Sequence, residues 1–210
     1  YAILLKTLGK KIIFSPRSGL MVDWVEKYFP FHFAKIVFEK SDIVMCQGEF
    51  WLKYYNKKFN LNSTKTHIVR NFIQIDDDDF IEKDSLSSYI NLIYIGWIHE
   101  KKGVLSLLEF IKFSKNILKT KLKICGEGDF EFKCREYCKE NNLNDVVEFC
   151  GWVNEEEKSK LLSESHFIFL LSETEGLPNS IIEGMKYGNI PIVTNVGSLN
   201  ELVNSSNGYI

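Results

Sequence analysis

Apolar residues in the second half of the chain arrive in short bursts, separated by polar stretches in which apolar positions recur at helical spacing. The bursts at 92–95, 122–125, 147–149, 167–171 and 190–193 predict buried strands. The intervening spacing predicts helices near 103–118, 130–141, 154–163, 180–187 and 199–203. Such alternation implies a parallel sheet with right-handed helical crossovers, a Rossmann-like layer. The first half repeats the scheme less regularly. A helix is expected over 2–8, a strand over 11–14, a largely helical stretch over 20–40 broken at Pro30, a strand over 42–46, a helix over 49–59 and a strand over 66–69.

Charge divides the chain at the same place. Residues 1–75 hold 12 Lys/Arg against 5 Asp/Glu, and residues 76–210 hold 14 against 23. The basic part carries two aromatic clusters, one with Trp24, Tyr28, Phe29, Phe31 and Phe33, the other with Trp51, Lys53, Tyr54, Lys57 and Lys58. Aromatic and basic residues together suit peripheral contact with an anionic membrane, although aromatics at helical spacing are more often core. No nucleic-acid-binding module accompanies the charge, so nucleic acid is not expected as a partner. The five cysteines show no Cys-x-x-Cys spacing and lie mostly in apolar runs, which predicts buried thiols in a reducing cytoplasm. The acidic run 76–79 leads into polar residues and reads as a solvated linker rather than an Asp-x-Asp metal site. The expected organisation is therefore residues 1–75, a linker over 76–90, and a better-defined domain over 91–210. The chain starts without Met and stops in what reads as a strand, so it is expected to be a fragment with an incomplete N-terminal domain and a truncated C-terminal end.

Candidate chemistry concentrates where a predicted strand end feeds a helix. In Ser172-Glu-Thr-Glu175-Gly176-Leu177-Pro178-Asn-Ser180-Ile-Ile-Glu183, two glutamates are separated by seven residues beside a helix N-terminus. Free N–H groups and the helix dipole favour an anion there. If the amides of Gly176 and Leu177 hold a phosphate, the carboxylates are left to accept hydrogen bonds from sugar or ribose hydroxyls. Ser180-Ile-Ile-Glu183 is also a capping box, in which Glu183 would only return to the Ser180 amide. A second loop, Gly96-Trp97-Ile-His99-Glu-Lys101-Lys102-Gly103, puts cations before a helix, where the dipole repels them unless an anion is bound. Gly126-Glu127-Gly128 and Cys150-Gly151-Trp152 are strand-end loops suited to the floor and wall of a nucleotide pocket. His166 precedes a buried strand and reads as structural, while His99 lies in the Lys102 loop.

The long pattern Glu175-Gly-Leu-Pro-x4-Glu183-Gly-Met-x-x-Gly188-x-Pro191-Ile-Val, ending in Gly197-x3-Glu201, resembles the signature of group-one, family-four retaining glycosyltransferases of the two-domain GT-B architecture. The resemblance implies a hexosyltransferase that moves a sugar from a nucleoside-diphosphate-sugar to a sugar or lipid-linked acceptor hydroxyl, in polysaccharide or glycolipid biosynthesis. It implies that Glu175 lies against the donor sugar, Glu183 against the ribose, and Lys102 against the diphosphate. Trp97 stands where the family's phosphate-binding Arg is usual. Gly96, Glu127, Trp152, Gly176, Leu177 and Pro178 complete the implied donor site. Lys102 and Glu175 are the catalytic candidates, and Arg17 and Ser18 are candidates on the acceptor side. Asn71-Phe-Ile-Gln-Ile-Asp76 loosely matches the family's interdomain turn. The departing phosphate oxygen can take the acceptor proton, so neither a side-chain base nor a metal or other cofactor is expected. Alternatives are a non-catalytic nucleotide-binding scaffold of the same fold, or another GT-B enzyme such as a nucleotide-sugar epimerase. The expected location is cytoplasmic, peripheral at the inner face of the cell membrane, and the fragment by itself is expected to be inactive.

Overall fold

The computed structural model describes residues 2–17, 31–74, 83 and 89–210. Expectations that fall on Ser18, on Trp24, Tyr28, Phe29 and Pro30, and on the acidic run 76–79 lie outside the described residues. Two compact units divide the chain: Tyr1–Asn71 with Thr174–Pro178 and Val196–Leu202, and Phe72–Glu173 with Asn179–Asn195 and Val203–Ile210.

In the first unit, α1 (Ala2–Thr7), β1 (Ile13–Phe14), α2 (Phe31–Lys40), β2 (Ile43–Cys46), α3 (Glu49–Phe59) and β3 (Thr66–Ile68) follow one another. The three strands are parallel in the order β1-β2-β3. Trp51, Tyr55 and Phe59 recur every four residues along α3, which puts them on one face, and all three are buried with Phe38 of α2 and Val44 of β2. Phe38 stacks on Phe59 with ring centroids 4.0 Å apart, and Phe14 meets Phe38 edge-on at 5.0 Å. Such pairs add about 0.5–1.5 kcal/mol beyond area burial. Trp51 is therefore core and not a membrane-facing aromatic, because its helical spacing turns it inward; Lys53 and Lys57 of the same helix stay exposed. Asn60, in the left-handed region at φ 51°, ends α3. The helix expected over 199–203 is a single 3-10 turn, Leu199–Glu201.

The second unit runs β4 (Ile90–Ile95), a 3-10 turn (Glu100–Lys102), α4 (Val104–Ser114), β5 (Thr120–Cys125), α5 (Glu131–Glu140), β6 (Val147–Gly151), α6 (Glu155–Glu164), β7 (Phe167–Leu170), α7 (Asn179–Lys186) and β8 (Ile190–Val193). All five strands are parallel, in the order β6-β5-β4-β7-β8. This is the Rossmann-like sheet that the alternating pattern predicts, and its strand order reverses between β4 and β7. Val104, Leu107, Leu108 and Ile111 form one inaccessible face of α4, buried together with Leu92, Ile93, Leu122, Ile124 and Ile168 of the sheet. Gly184 lets α7 lie close on β7, since a Cβ there would press on the Ile168 side chain. Asn154 and Glu157 form a reciprocal capping box that starts α6. All five cysteines are free and four are buried; burial pushes the Cys46, Cys134 and Cys138 thiols up to about 11.

Candidate functional site

The carboxyl ends of β4, β5 and β6 open into a pocket of about 780 Å³, bounded on its far side by the first turns of α6 and α7. Its size is that of a small-molecule site, and the switch point of an open α/β sheet is where such sites form. Gly96 and Trp97 line it from β4, Cys125 to Gly128 from β5, and Trp152 and Val153 from β6. Glycine makes the floor possible. Gly126 has φ +136°, a conformation that side chains rarely adopt, and a Cβ there would strike the Gly96 carbonyl. Its N–H donates to the Gly151 carbonyl at 2.7 Å, so three adjacent strand ends meet through bare backbone.

The polar wall comes from the two helices. Ser180 and Glu183 line the pocket from α7, and Glu155 and Lys158 from α6. The Lys158 ammonium lies 3.1 Å from Glu183 Oε2 and 2.9 Å from Glu155 Oε1. Burial would lower the Lys158 pKa, but its bonds to Glu155 and Glu183 outweigh that and raise it above the usual lysine value. Ser180 stands inside α7, which starts at Asn179, and so cannot be its N-cap. The capping-box reading of Ser180 and Glu183 is therefore overturned. Glu183 faces the pocket and its partner is Lys158.

Two indoles stand in this wall, Trp152 at 80% exposure and Trp97 at 51%. The Trp97 ring packs on His99 with centroids 4.7 Å apart, and its carbonyl accepts the buried Tyr94 hydroxyl at 2.9 Å. His99 Nδ1 accepts from the Lys101 N–H at 3.2 Å, which makes this histidine the N-cap of the 3-10 turn. His166 is structural as predicted, its Nδ1 accepting from the Asn91 N–H at 3.0 Å. Cys125 shares a thiol hydrogen bond with Cys150, which, with burial, raises the Cys125 pKa.

Of the sequence-predicted donor residues, the pocket brings together Gly96, Glu127, Trp152 and Glu183. Lys102 does not line it. It sits half-buried in the 3-10 turn after β4, one residue before Gly103, whose φ of +72° and close approach to the Leu171 carbonyl start α4. The Lys101 carbonyl accepts from Glu173 N–H at 2.9 Å, which ties this loop to the loop following β7.

Glu175, Gly176, Leu177 and Pro178 cluster with the first unit. Glu175 is 6% exposed and its carbonyl accepts from Trp51 Nε1 at 3.1 Å. The Leu177 carbonyl accepts from Asn71 Nδ2 at 2.6 Å, and Asn71 Oδ1 accepts from Arg17 Nη1 at 2.6 Å. The N–H groups of Gly176 and Leu177 have no hydrogen-bond partner among the described residues.

Sequence reasoning missed Lys158 and Glu155. In the run Glu155-Glu-Glu-Lys158 they read as a solvated helix face, and only the packing of α6 beside α7 carries them to Glu183. Among the described residues no cluster of three or more His, Cys, Asp or Glu could hold a metal ion, and no helix is long and apolar enough to cross a membrane.

Residues 76–210 match the family described as glycosyl transferases group 1. The chain belongs to that family. Among its relatives, the glycosyltransferase MJ1059 of Methanocaldococcus jannaschii is 28% identical over 169 residues, 76% of this chain and 41% of that protein. The capsular polysaccharide biosynthesis glycosyltransferase CapH of Staphylococcus aureus is 29% identical over 126 residues, 58% of this chain and 35% of that protein. HepE from Anabaena, solved with UDP and glucose, superposes with a TM-score of 0.83 at 13% identity, over 99% of this chain and 59% of its own. The chain thus spans from about a third to three fifths of the length of these proteins, and its fold is part of the GT-B glycosyltransferase fold.

Proposed function

We propose that the full-length protein is a retaining glycosyltransferase that transfers a sugar from a nucleoside-diphosphate-sugar to a sugar or lipid-linked acceptor hydroxyl, in polysaccharide or glycolipid biosynthesis. The reading rests on the pocket in which Glu183 and two exposed indoles gather at the carboxyl edge of the second unit's sheet. A nucleoside suits that wall: exposed indoles present faces for a base, and a carboxylate accepts from ribose hydroxyls. The pocket carries Glu127, Glu155 and Glu183 against the single ammonium of Lys158. That balance favours hydroxyls and base N–H groups over phosphate. The diphosphate is assigned to the Lys102 turn, next along the same sheet edge.

Breaking the bond between sugar and diphosphate leaves negative charge on the phosphate. A fixed cation or amide aimed at that charge contributes on the order of 3 kcal/mol, about 100-fold in rate. In this proposal Lys102 is that cation, and the departing phosphate oxygen takes the acceptor proton. The motif likeness assigns Glu175 to the donor sugar and the amides of Gly176 and Leu177 to phosphate. HepE was solved with UDP, and CapH bears a capsular polysaccharide name; both favour the same class of donor and pathway. Peripheral attachment to an anionic membrane through Lys53 and Lys57, on the cytoplasmic side, belongs to the same proposal.

A non-catalytic nucleotide-binding subunit is the second reading, favoured by Trp97 where a cation is usual. Product formation by the full-length protein from a panel of radiolabelled nucleotide-sugars separates the two. Transfer or donor hydrolysis is expected; nucleotide binding with neither would favour the scaffold.

A further inference from the structure

Glu183 cannot be understood without the helix beside it. Its Oε2 is held by Lys158, while Oε1 has no partner among the described residues and belongs to a side chain in the pocket wall. The Lys158 side chain is only 15% exposed and that of Glu183 23%, so this is not a solvated surface pair. Lys158 reaches across from α6 and also binds Glu155, one turn earlier on its own helix. Two carboxylates drawn to one ammonium would repel each other without it.

We infer that Lys158 is a positioning residue that fixes the Glu183 carboxylate so that its free oxygen meets the ribose hydroxyls of the bound nucleotide. The inference rests on the reading of the pocket as a nucleotide site. With the ammonium in place, Glu183 keeps one rotamer and one oxygen directed to the ligand, so ordering it is not a cost of binding. Without it, Glu183 turns away from Glu155. A second tie, Tyr187 Oη donating to Ser159 Oγ at 2.9 Å, keeps α6 and α7 together when Lys158 is changed.

The test measures binding to the full-length protein by calorimetry. UDP, GDP, ADP and CDP are compared first, and the tightest is set against its 2′,3′-dideoxy analogue. The native protein and Lys158→Arg are expected to prefer the ribose form by about tenfold. Glu183→Ala and Lys158→Met are expected to bind both forms equally. Should Lys158→Met fail to fold, Lys158→Gln takes its place. A Lys158→Met protein with a lowered Tm but an undiminished ribose preference would overturn the inference and reduce Lys158 to a tie between helices, leaving the nucleotide reading intact. If no diphosphate binds, or if Glu183→Ala keeps the native preference, the nucleotide reading itself falls and takes the inference with it.

Discussion

The Glu201 carboxylate accepts the Phe50 backbone N–H at 3.0 Å, across 151 residues of sequence. Gly48, the N-cap of α3, has no side chain to offer, and a Cβ there would collide with Ser198 and Glu201. A carboxylate from the far end of the chain thus does the work of a local cap. It also binds Arg70 Nη2 at 2.8 Å. This gives the last residue of the Gly197-x3-Glu201 pattern a structural role within the first unit.

Glu201→Ala is accordingly expected to destabilise the protein by about 1–2 kcal/mol, the usual loss for a helix cap, without altering nucleotide affinity. Burial acts to raise the Glu201 pKa, but the N–H groups of Glu49 and Phe50, with Arg70, bring it below the ordinary glutamate value. The cap's contribution is therefore present above the unfolded value and fades as pH falls below it. Thermal melts of native and variant protein, run from pH 7 downward, should converge.

A second acid-labile contact lies at Asp42. Hydrogen bonds from Lys6 at 2.6 Å and from the Ile12 N–H at 2.7 Å hold its carboxyl at about 2 instead of 3.8. The stabilisation is complete above the unfolded value and is lost as pH falls through the folded one. Asp42→Asn should lower Tm at neutral pH, and the difference should shrink as pH falls from about 4 through about 2. A constant gap in Tm across that window would show that the charge is not responsible.

If Lys102 meets the diphosphate as proposed, Lys102→Ala in the full-length protein is expected to lower turnover about 100-fold while changing KM little, because that charge grows in the transition state. Single-turnover rates with a radiolabelled donor measure this. Unchanged transfer and hydrolysis would remove Lys102 from the diphosphate.

Glu183→Ala should weaken binding of the bare nucleoside diphosphate by about tenfold, the worth of one charge-assisted hydrogen bond. Since Ser180 is not a cap, any loss of stability comes from the broken Lys158 pair and not from the start of α7. Calorimetry and a thermal melt on the same sample distinguish the two effects.

Gly126→Ala tests the floor of the pocket. The new Cβ has no room against the Gly96 carbonyl and no permitted backbone at φ +136°. A cost of about 1–3 kcal/mol and loss of nucleotide affinity together are expected. A stable variant with native affinity would place the ligand elsewhere.

Much of this molecule could be read in one dimension. Strand bursts and helical spacing locate α3 at Glu49–Phe59 and β8 at Ile190–Val193 to the residue, because burying one face of a helix or both faces of a parallel strand leaves a periodic mark. The long glutamate pattern likewise carried the family. Gly96, Glu127 and Trp152 could be nominated because strand-end loops of a parallel sheet converge on one edge, and Glu183 because the glutamate pair resembles the family's motif.

Tertiary structure decided what those residues touch. Trp51 became core, Ser180 lost its capping role, and Glu201 acquired a partner 151 residues away. Lys158 looked like one more charge on a wet helix until α6 lay beside α7. Periodicity records which face of an element is hidden, since burial acts on each residue separately. It does not record which hidden or half-hidden groups meet, since that depends on how two elements pack, and a hydrogen bond is gained or lost within an ångström.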